Sequence, residues 1–169
     1  KKGGITQISA HAVRFDTFET IDKIALYVYP YYQKNLGGTR KKILKTKREL
    51  EVEEQQLMVY EDKALTYSGL SMELLYNQGI QLEEITSKFI TFVQSNTLSK
   101  AKDTKPVLIG QNITFDIGFL QQMFNYTGKM KEFETLLAGK KDFYGNFQPE
   151  YIDTLLLDRL AFSNERMPN

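Results

Sequence analysis

The chain has 169 residues, of which 41% are hydrophobic and 12% aromatic, which is enough for one folded domain with its own core. Twenty-two basic residues against 21 acidic ones leave a net charge of +1, which excludes a protein-wide field that would attract nucleic acid or membrane. No cysteine is available for a disulfide or a thiolate metal site, and no apolar run approaches the ~20 residues of a membrane span, so we expect a cytoplasmic protein without a membrane segment.

The first predicted elements are two antiparallel strands joined by a hairpin. Apolar and polar residues alternate through ITQISAHAVRF, residues 5–15, and again through IDKIALYVYP, residues 21–30, which Pro30 closes. The connecting stretch FDTFET carries two acids, Asp16 and Glu19. Because residues i and i+3 of an extended strand point to opposite faces, these acids would not converge on one ion, and we expect them to be hairpin residues.

Residues 31–63 form a charged insert with a predicted helix near Thr46 to Tyr60. Basic residues cluster in its first half, at Arg40, Lys41, Lys42, Lys45, Lys47 and Arg48, and glutamates follow directly. Opposite charges about four residues apart are typical of a solvated helix. A basic arm that grips phosphate is the second interpretation.

Helices dominate the next part of the prediction. A turn at Ser68–Gly69 precedes a short helix for which Ser71 is the expected N-cap. A stronger helix follows, because Leu82, Ile85, Phe89, Phe92 and Val93 repeat at three- and four-residue spacing.

The run PVLIG, residues 106–110, predicts a short buried strand that passes through the polar turn GQN directly into a helix ending near Gly128. The rest of the chain predicts a small helix in KEFETLLAG, an aromatic loop in DFYGNFQPE, a strand end at Tyr151–Ile152 and a final helix with Thr154 near its start. A strand, tight turn and helix place the turn at the carboxyl edge of a sheet, where α/β proteins commonly keep their sites.

The segment GQNITFDIGFL, residues 110–120, resembles the second conserved motif of the DnaQ-like proofreading exonucleases of the DEDD superfamily, usually HNxxFDxxFL. The matching positions are Asn112, Phe115, Asp116, Phe119 and Leu120. Three further segments resemble that family in the same order: ITQIS, ALTYSGLS (the family's AxxxxGIT) and YIDTLLLDRL (its VIDTLxLxRxL). Together they cover most of residues 3–162.

The resemblance implies an α/β fold of the ribonuclease H-like class, a three-layer domain with a mixed sheet and helices on both faces. Residues 1–169 would form a single domain that is incomplete at both ends. The implied activity is 3′-to-5′ exonucleolytic release of nucleotides, with single-stranded or frayed 3′ ends of DNA or RNA as substrate and a polymerase or other replication protein as a partner. Two Mg²⁺ or Mn²⁺ ions held by four acids would carry the hydrolysis, and Asp116 would be one of these acids.

The resemblance also implies nucleic-acid contacts at Gln111, Asn112, Phe115, Gly69 and Leu70. Gln111 replaces the family's more usual histidine, although an amide can still bond phosphate or sugar. Each position also has a structural interpretation: Asn112 as an N-cap or turn residue, Asp116 as an ordinary first-turn acid, and Gly69 with Leu70 as a turn followed by a core residue.

Two other polar residues are expected to have structural roles. Asp153 resembles the aspartate of the family's IDT segment, which is not a metal ligand, and we expect it to cap the following helix. His11 is the only histidine and lies in the first predicted strand, where a packed or surface position is expected.

The family's first and last motifs fall outside the sequence. The DxE pair is expected upstream of Lys1, and the His or Tyr with the final Asp is expected beyond Asn169. An alternative function is therefore a catalytically inactive exonuclease-fold module that binds nucleic acid or a protein partner. A third possibility is a virion or scaffold protein in which the Phe-Asp pair is coincidental.

Overall fold

The structure, a computed structural model, describes residues 3–34, 47–48, 56–98 and 104–162. The strands in these ranges are β1 (Gln7–Val13), β2 (Thr20–Tyr27), β3 (Leu108–Gly110), β4 (Gly139–Lys141), β5 (Phe147–Pro149) and β6 (Tyr151–Asp153). The helices are α1 (Asp62–Tyr67), α2 (Met72–Gln78), α3 (Leu82–Ser95), α4 (Ile113–Tyr126), α5 (Met130–Leu136) and α6 (Thr154–Phe162). None of the helices in these ranges has the length and apolar character needed to cross a membrane.

The described strands pair into three two-stranded sheets. Strands β1 and β2 are antiparallel, β4 and β5 are antiparallel, and β3 runs parallel to β6. The mixed α/β class is thereby confirmed. The single mixed sheet of the ribonuclease H-like class is not formed among the described residues and stays a prediction.

The predicted hairpin between β1 and β2 is confirmed, with Ile8 opposite Leu26 and Ala10 opposite Ile24. Asp16 lies in its turn, as expected, and accepts hydrogen bonds from Nε and Nη2 of Arg14 at 3.0 and 2.7 Å. The bond from the guanidinium lowers the pKa of Asp16 to about 2. Glu19 also belongs to the turn, where its carbonyl accepts from the Arg14 N–H.

The helices with strong apolar periodicity lie where the sequence predicts them. Helix α3 buries Leu82, Ile85, Phe89 and Val93 on one face. Helix α4 ends at Tyr126, two residues before the expected Gly128.

The helix that begins after Ser71 is also confirmed. The Ser71 side chain accepts a hydrogen bond from the Leu74 N–H at 3.1 Å, and Leu75 is fully buried within α2. The same stretch contains an additional element, because the residues just before the Ser68–Gly69 turn form α1, a helix of only six residues.

The prediction of a helix that continues to Tyr60 is wrong. Residues 56–60 are extended, not helical: Leu57 bridges to Tyr32 and Val59 to Gly3, and this pairing buries Met58 in the core. Lys47 and Arg48 are helical, while the remainder of the predicted insert helix lies outside the described residues.

The predicted aromatic loop contains the β4–β5 hairpin. The Asp142 carboxylate closes its turn by accepting from the N–H groups of Tyr144 and Asn146 at 2.9 and 2.8 Å. These bonds, with that from Asn146 the largest contribution, lower the pKa of Asp142.

The main core joins the helices to the hairpins through aromatic rings. Phe124 of α4 stacks on Phe133 of α5 with ring centroids 4.6 Å apart, and Phe133 meets Phe147 of β5 edge-on at 5.4 Å. Phe89 of α3 also contacts Phe124, edge-on, with ring centroids 6.1 Å apart. These four rings therefore tie α3, α4, α5 and the β4–β5 hairpin into one body.

A buried polar network fixes the segment that leads into β1. The Tyr31 hydroxyl donates to Oε1 of Gln122 at 2.5 Å and accepts from the Ile5 N–H at 2.9 Å. The Gln122 amide in turn donates to the Gly3 carbonyl at 3.1 Å. The Ile5 N–H, the Tyr31 hydroxyl and the Gln122 side-chain amide therefore each have a hydrogen-bond partner.

Replacing Tyr31 with Phe should lower the free energy of unfolding by about 1–3 kcal/mol. The substitution keeps the ring but leaves the Ile5 N–H and the Gln122 carbonyl oxygen buried without the hydroxyl. Urea unfolding of both proteins measures the difference. Tyr32→Phe is the matched control, because the neighbouring Tyr32 is exposed, and it should change stability by less than about 0.5 kcal/mol. If both substitutions changed the free energy of unfolding equally, the buried network would not contribute to stability.

The free energy of unfolding should fall as the pH is raised into the alkaline range. Burial raises the pKa of Tyr60 to about 12 and raises that of Tyr31 as well, whereas tyrosines of the unfolded chain ionise near about 10. Unfolding therefore releases protons above pH ~10. The stability that the two protonated tyrosines contribute is fully present below that pH and is lost as the pH approaches ~12. Urea midpoints measured from pH 9 to 11 should fall, and the fall should be shallower in Tyr60→Phe. An unchanged slope in that variant would show that Tyr60 is not responsible.

Candidate functional site

The central feature of the candidate site is the turn between β3 and α4. Asn112 adopts the left-handed conformation, with φ 52° and ψ 40°, so that the chain reverses from strand to helix within two residues. Its backbone N–H donates to Oδ1 of Asp153 at 3.0 Å, and Gly110 lies opposite Asp153 in the β3–β6 pairing. The turn is thereby fixed at the carboxyl ends of two parallel strands.

Asp153 has the structural role that the sequence indicates. The same Oδ1 atom that holds Asn112 also accepts from the Leu155 N–H at 3.0 Å and so caps α6. The prediction of a capping aspartate is confirmed. The link across to Asn112 was not predicted, because it joins residues 41 positions apart and no local pattern signals it.

Asp116 occupies the first turn of α4 and is exposed. Its neighbour Phe115 is 56% exposed and packs edge-on against Phe119 at 5.1 Å. Asp116, Phe115 and Phe119 all line one large groove. An acid at this end of a helix is stabilised by the positive end of the helix dipole, and that end would also attract the phosphate of a ligand.

The groove has a volume of about 2350 Å³ and lies between β1 and β3. Its lining is mainly apolar and comes from β1, β3, α3, α4 and the β1–β2 turn. The lining residues include Ser9 and His11 of β1, Val107 and Ile109 at β3, Phe92 of α3, and Leu120 of α4.

Strand β3 is correctly predicted but is not buried. Val107 is 38% exposed and Ile109 is 47% exposed, because both face the groove. The apolar run PVLIG is typical of a strand covered on both sides, and the structure leaves this one open toward β1. The prediction of a buried strand is therefore wrong for the described residues.

Of the other sequence-predicted site residues, some line this groove and others do not. Gly69 has φ +68° at the turn after α1, and a side chain there would meet no atom within 4 Å. Leu70 is buried against Leu65 and Leu75 and also forms part of the groove wall. Gln111 and Asn112 are exposed at the β3–α4 turn and do not line the groove. The structure thus brings together Asp116, Phe115 and Leu70 around one groove.

The tip of the β1–β2 hairpin contributes residues that the sequence motifs do not indicate. Phe15 and Phe18 are exposed, with ring centroids 6.3 Å apart, and both line the groove together with Arg14. Two aromatic residues within the turn FDTFE are the available sequence signal, since apolar side chains grouped on a surface can mark a contact site. Besides the exposed ring of Phe115, this tip offers rings on which an aromatic ligand can stack.

A complete two-ion metal centre is not formed by the described residues. In residues 3–34, 47–48, 56–98 and 104–162, no three His, Cys, Asp or Glu side chains are grouped closely enough to hold an ion. Asp116 fits a divalent cation as one carboxylate ligand. A site with three or more carboxylate or imidazole ligands would need side chains from outside the described ranges.

No protein-family model, curated protein or solved structure matches the chain.

Replacing Asp153 with Ala should destabilise the fold by about 1–3 kcal/mol, because the N–H groups of Asn112 and Leu155 then lose their shared acceptor. Asp153→Asn is the matched variant, since its amide oxygen can still accept both bonds, and it should retain most of the stability. Thermal unfolding of the two variants distinguishes the effect of the acceptor oxygen from the effect of the charge. If Asn is as damaging as Ala, the carboxylate charge and not the acceptor geometry holds the turn.

Proposed function

We propose that the intact protein is a metal-dependent 3′-to-5′ exonuclease that acts on DNA or RNA. One observation carries the proposal: Asp116 is an exposed acid in the first turn of the helix that follows β3, and it lines a groove at the carboxyl end of that strand. This is where α/β proteins commonly bind ligands. The four motifs that resemble the DnaQ-like exonucleases support the same activity.

Each residue near Asp116 has a chemical role in this proposal. Bound Mg²⁺ or Mn²⁺ would supply an activated water and neutralise the leaving oxygen, with Asp116 as one of the ligands. The amides of Gln111 and Asn112 can donate to phosphate or sugar oxygens of the terminal nucleotides. The exposed ring of Phe115 can stack on a base. Leu70 offers an apolar wall to the same nucleotide.

The decisive experiment is digestion of a 5′-labelled single strand by the intact protein with Mg²⁺ or Mn²⁺. Products shortened one nucleotide at a time from the 3′ end are expected, and chelation of the metal should stop them. A matched oligonucleotide with phosphorothioate linkages at its 3′ end should resist digestion, and parallel DNA and RNA strands identify the substrate. Failure to digest either strand with ample metal would contradict the proposal.

A second candidate is a catalytically inactive module of the same fold that binds nucleic acid or a protein such as a polymerase. The exposed Phe15–Phe18 pair favours it, because aromatic rings can stack on the bases of a single strand without any chemistry. This candidate predicts binding of a fluorescent oligonucleotide that chelation leaves unchanged, with no shortened products. Loss of affinity in Phe15→Ala and Phe18→Ala would locate the contact at the hairpin tip.

A further inference from the structure

The start of helix α4, which carries Asp116, is held by a side chain from a distant strand. Asn112 is the N-cap of α4, yet within the described part of the chain its own side chain makes no capping hydrogen bond. Its backbone N–H donates to Oδ1 of Asp153 at 3.0 Å, and its carbonyl accepts from the Phe115 N–H at 3.0 Å. Asp153 therefore acts on the backbone of the turn that leads directly into Asp116.

The conformation of this turn depends on the bonds around it. Gly110 ends β3, and a Cβ atom there would lie 2.6 Å from Cδ1 of Ile113, the first residue of α4. Asn112 lies between them in the left-handed conformation, with φ 52°, which is unfavourable for residues other than glycine and is tolerated best by asparagine and aspartate. Such a conformation persists where the surrounding structure holds it. The bond from Asp153 supplies part of that hold.

The same oxygen atom also fixes a second helix. Oδ1 of Asp153 accepts from the Leu155 N–H at 3.0 Å in the first turn of α6, and Asp153 lies opposite Gly110 in the β3–β6 pairing. One half-buried carboxylate therefore sets the spacing between the N-terminal ends of α4 and α6. A change at Asp153 will be transmitted to the residues that follow Asn112.

We propose that Asp153 is a positioning residue for the reaction at Asp116. Its carboxylate oxygen holds the Asn112 turn, and the turn places the Asp116 carboxylate together with the exposed amides of Gln111 and Asn112 at the carboxyl end of β3. This inference rests on the proposed exonuclease activity and gives Asp153 no contact with the substrate. Removing a side chain that orients a metal ligand lowers metal affinity or activity by about 10–100-fold, and we expect a loss of that size here.

The test is single-turnover digestion of a labelled strand by the intact protein, at a temperature where circular dichroism shows every variant folded. Asp153→Ala should digest about 10–100-fold more slowly than the parent, whereas Asp153→Asn, which keeps an acceptor oxygen, should stay within about threefold. Ser71→Ala is the matched control, because it also removes a side-chain acceptor from the start of a helix, α2, but does not line the groove. Its rate should stay within about twofold of the parent. A folded Asp153→Ala protein with the parent's rate, or an equal loss in Ser71→Ala, would overturn the proposal.

A double variant separates positioning from general damage. If Asp153 acts through Asp116, Asp153→Ala should slow the Asp116→Asn protein by less than about twofold, because the group that it positions is already gone. The same loss in both backgrounds would show that Asp153 acts independently of Asp116, which contradicts the proposal.

Amide hydrogen exchange gives a readout that needs no digestion. The Asn112 amide should exchange at least ~10-fold faster in Asp153→Ala than in the parent and should remain protected in Asp153→Asn. Unchanged exchange in Asp153→Ala would show that Asp153 does not hold the turn. A parent protein that digests no strand, but whose Asn112 exchange responds as expected, would contradict the proposed function while supporting the link between Asp153 and the turn.

Discussion

The Asp116→Asn variant of the intact protein is expected to lose its metal-dependent digestion of a 3′ end, with the rate lowered by at least ~10³-fold. The amide keeps the shape of the side chain but cannot offer an anionic oxygen to a divalent ion, and the metal contributes several kcal/mol to such reactions at about 1.4 kcal/mol per tenfold in rate. Asp116 is exposed, so the fold should be unaffected. The measurement is single-turnover digestion of a labelled strand.

The matched control is Asp62→Asn. Asp62 is also an exposed aspartate in the first turn of a helix, α1, but it does not line the groove. Its replacement should leave the rate within about twofold of the parent. A folded Asp116→Asn protein with the parent's rate would exclude Asp116 from the reaction. Loss of cleavage with retained strand binding would assign the residue to chemistry and not to affinity.

Phe124→Ala is expected to cause the largest loss of stability among the substitutions considered, about 3–5 kcal/mol. The ring is 0% exposed and contacts both Phe133 and Phe89, so its removal leaves a cavity where α3, α4 and α5 meet. Because small domains are stable by about 5–15 kcal/mol, this is a large share of the total. Urea unfolding followed by circular dichroism measures it.

Phe143→Ala is the control for the same change of residue. Phe143 is 95% exposed at the turn of the β4–β5 hairpin, and its loss should alter stability by less than about 0.5 kcal/mol. Similar losses for both variants would mean that the four-ring cluster does not hold the helices together.

Local chemistry explains which elements could be predicted from the sequence. Helices α3 and α4 have fourteen residues each, long enough for their apolar stripes to repeat several times, and Ser71 marks its helix by one side-chain bond. Strands β4 and β5 have three residues each, too few to show alternation, so the sequence predicts a loop where the hairpin lies. Residues 56–60 have helix-compatible composition, and their pairing with Tyr32 and Gly3 overrode it.

Some features of the candidate site also follow from local sequence, and others depend on contacts between distant segments. The position of Asp116 follows from the strand, turn and helix pattern of residues 106–128, and the structure agrees with that pattern. The groove itself could not be predicted, because it depends on how far apart two distant segments, β1 and β3, lie in space. The Asp153 link to Asn112 also depends on the parallel pairing of β3 with β6, and the exposed rings of Phe15 and Phe18 become significant only beside that groove.

The parallel pairing of β3 with β6 has a kinetic consequence. Leu108 pairs with Tyr151, 43 residues away, whereas the two antiparallel hairpins join residues close in sequence. Closing the longer loop costs more chain entropy before any contact rewards it. On refolding, the β1–β2 and β4–β5 hairpins should therefore form before β3 pairs with β6, and the β3–α4 turn at Asn112 should become ordered together with that later pairing.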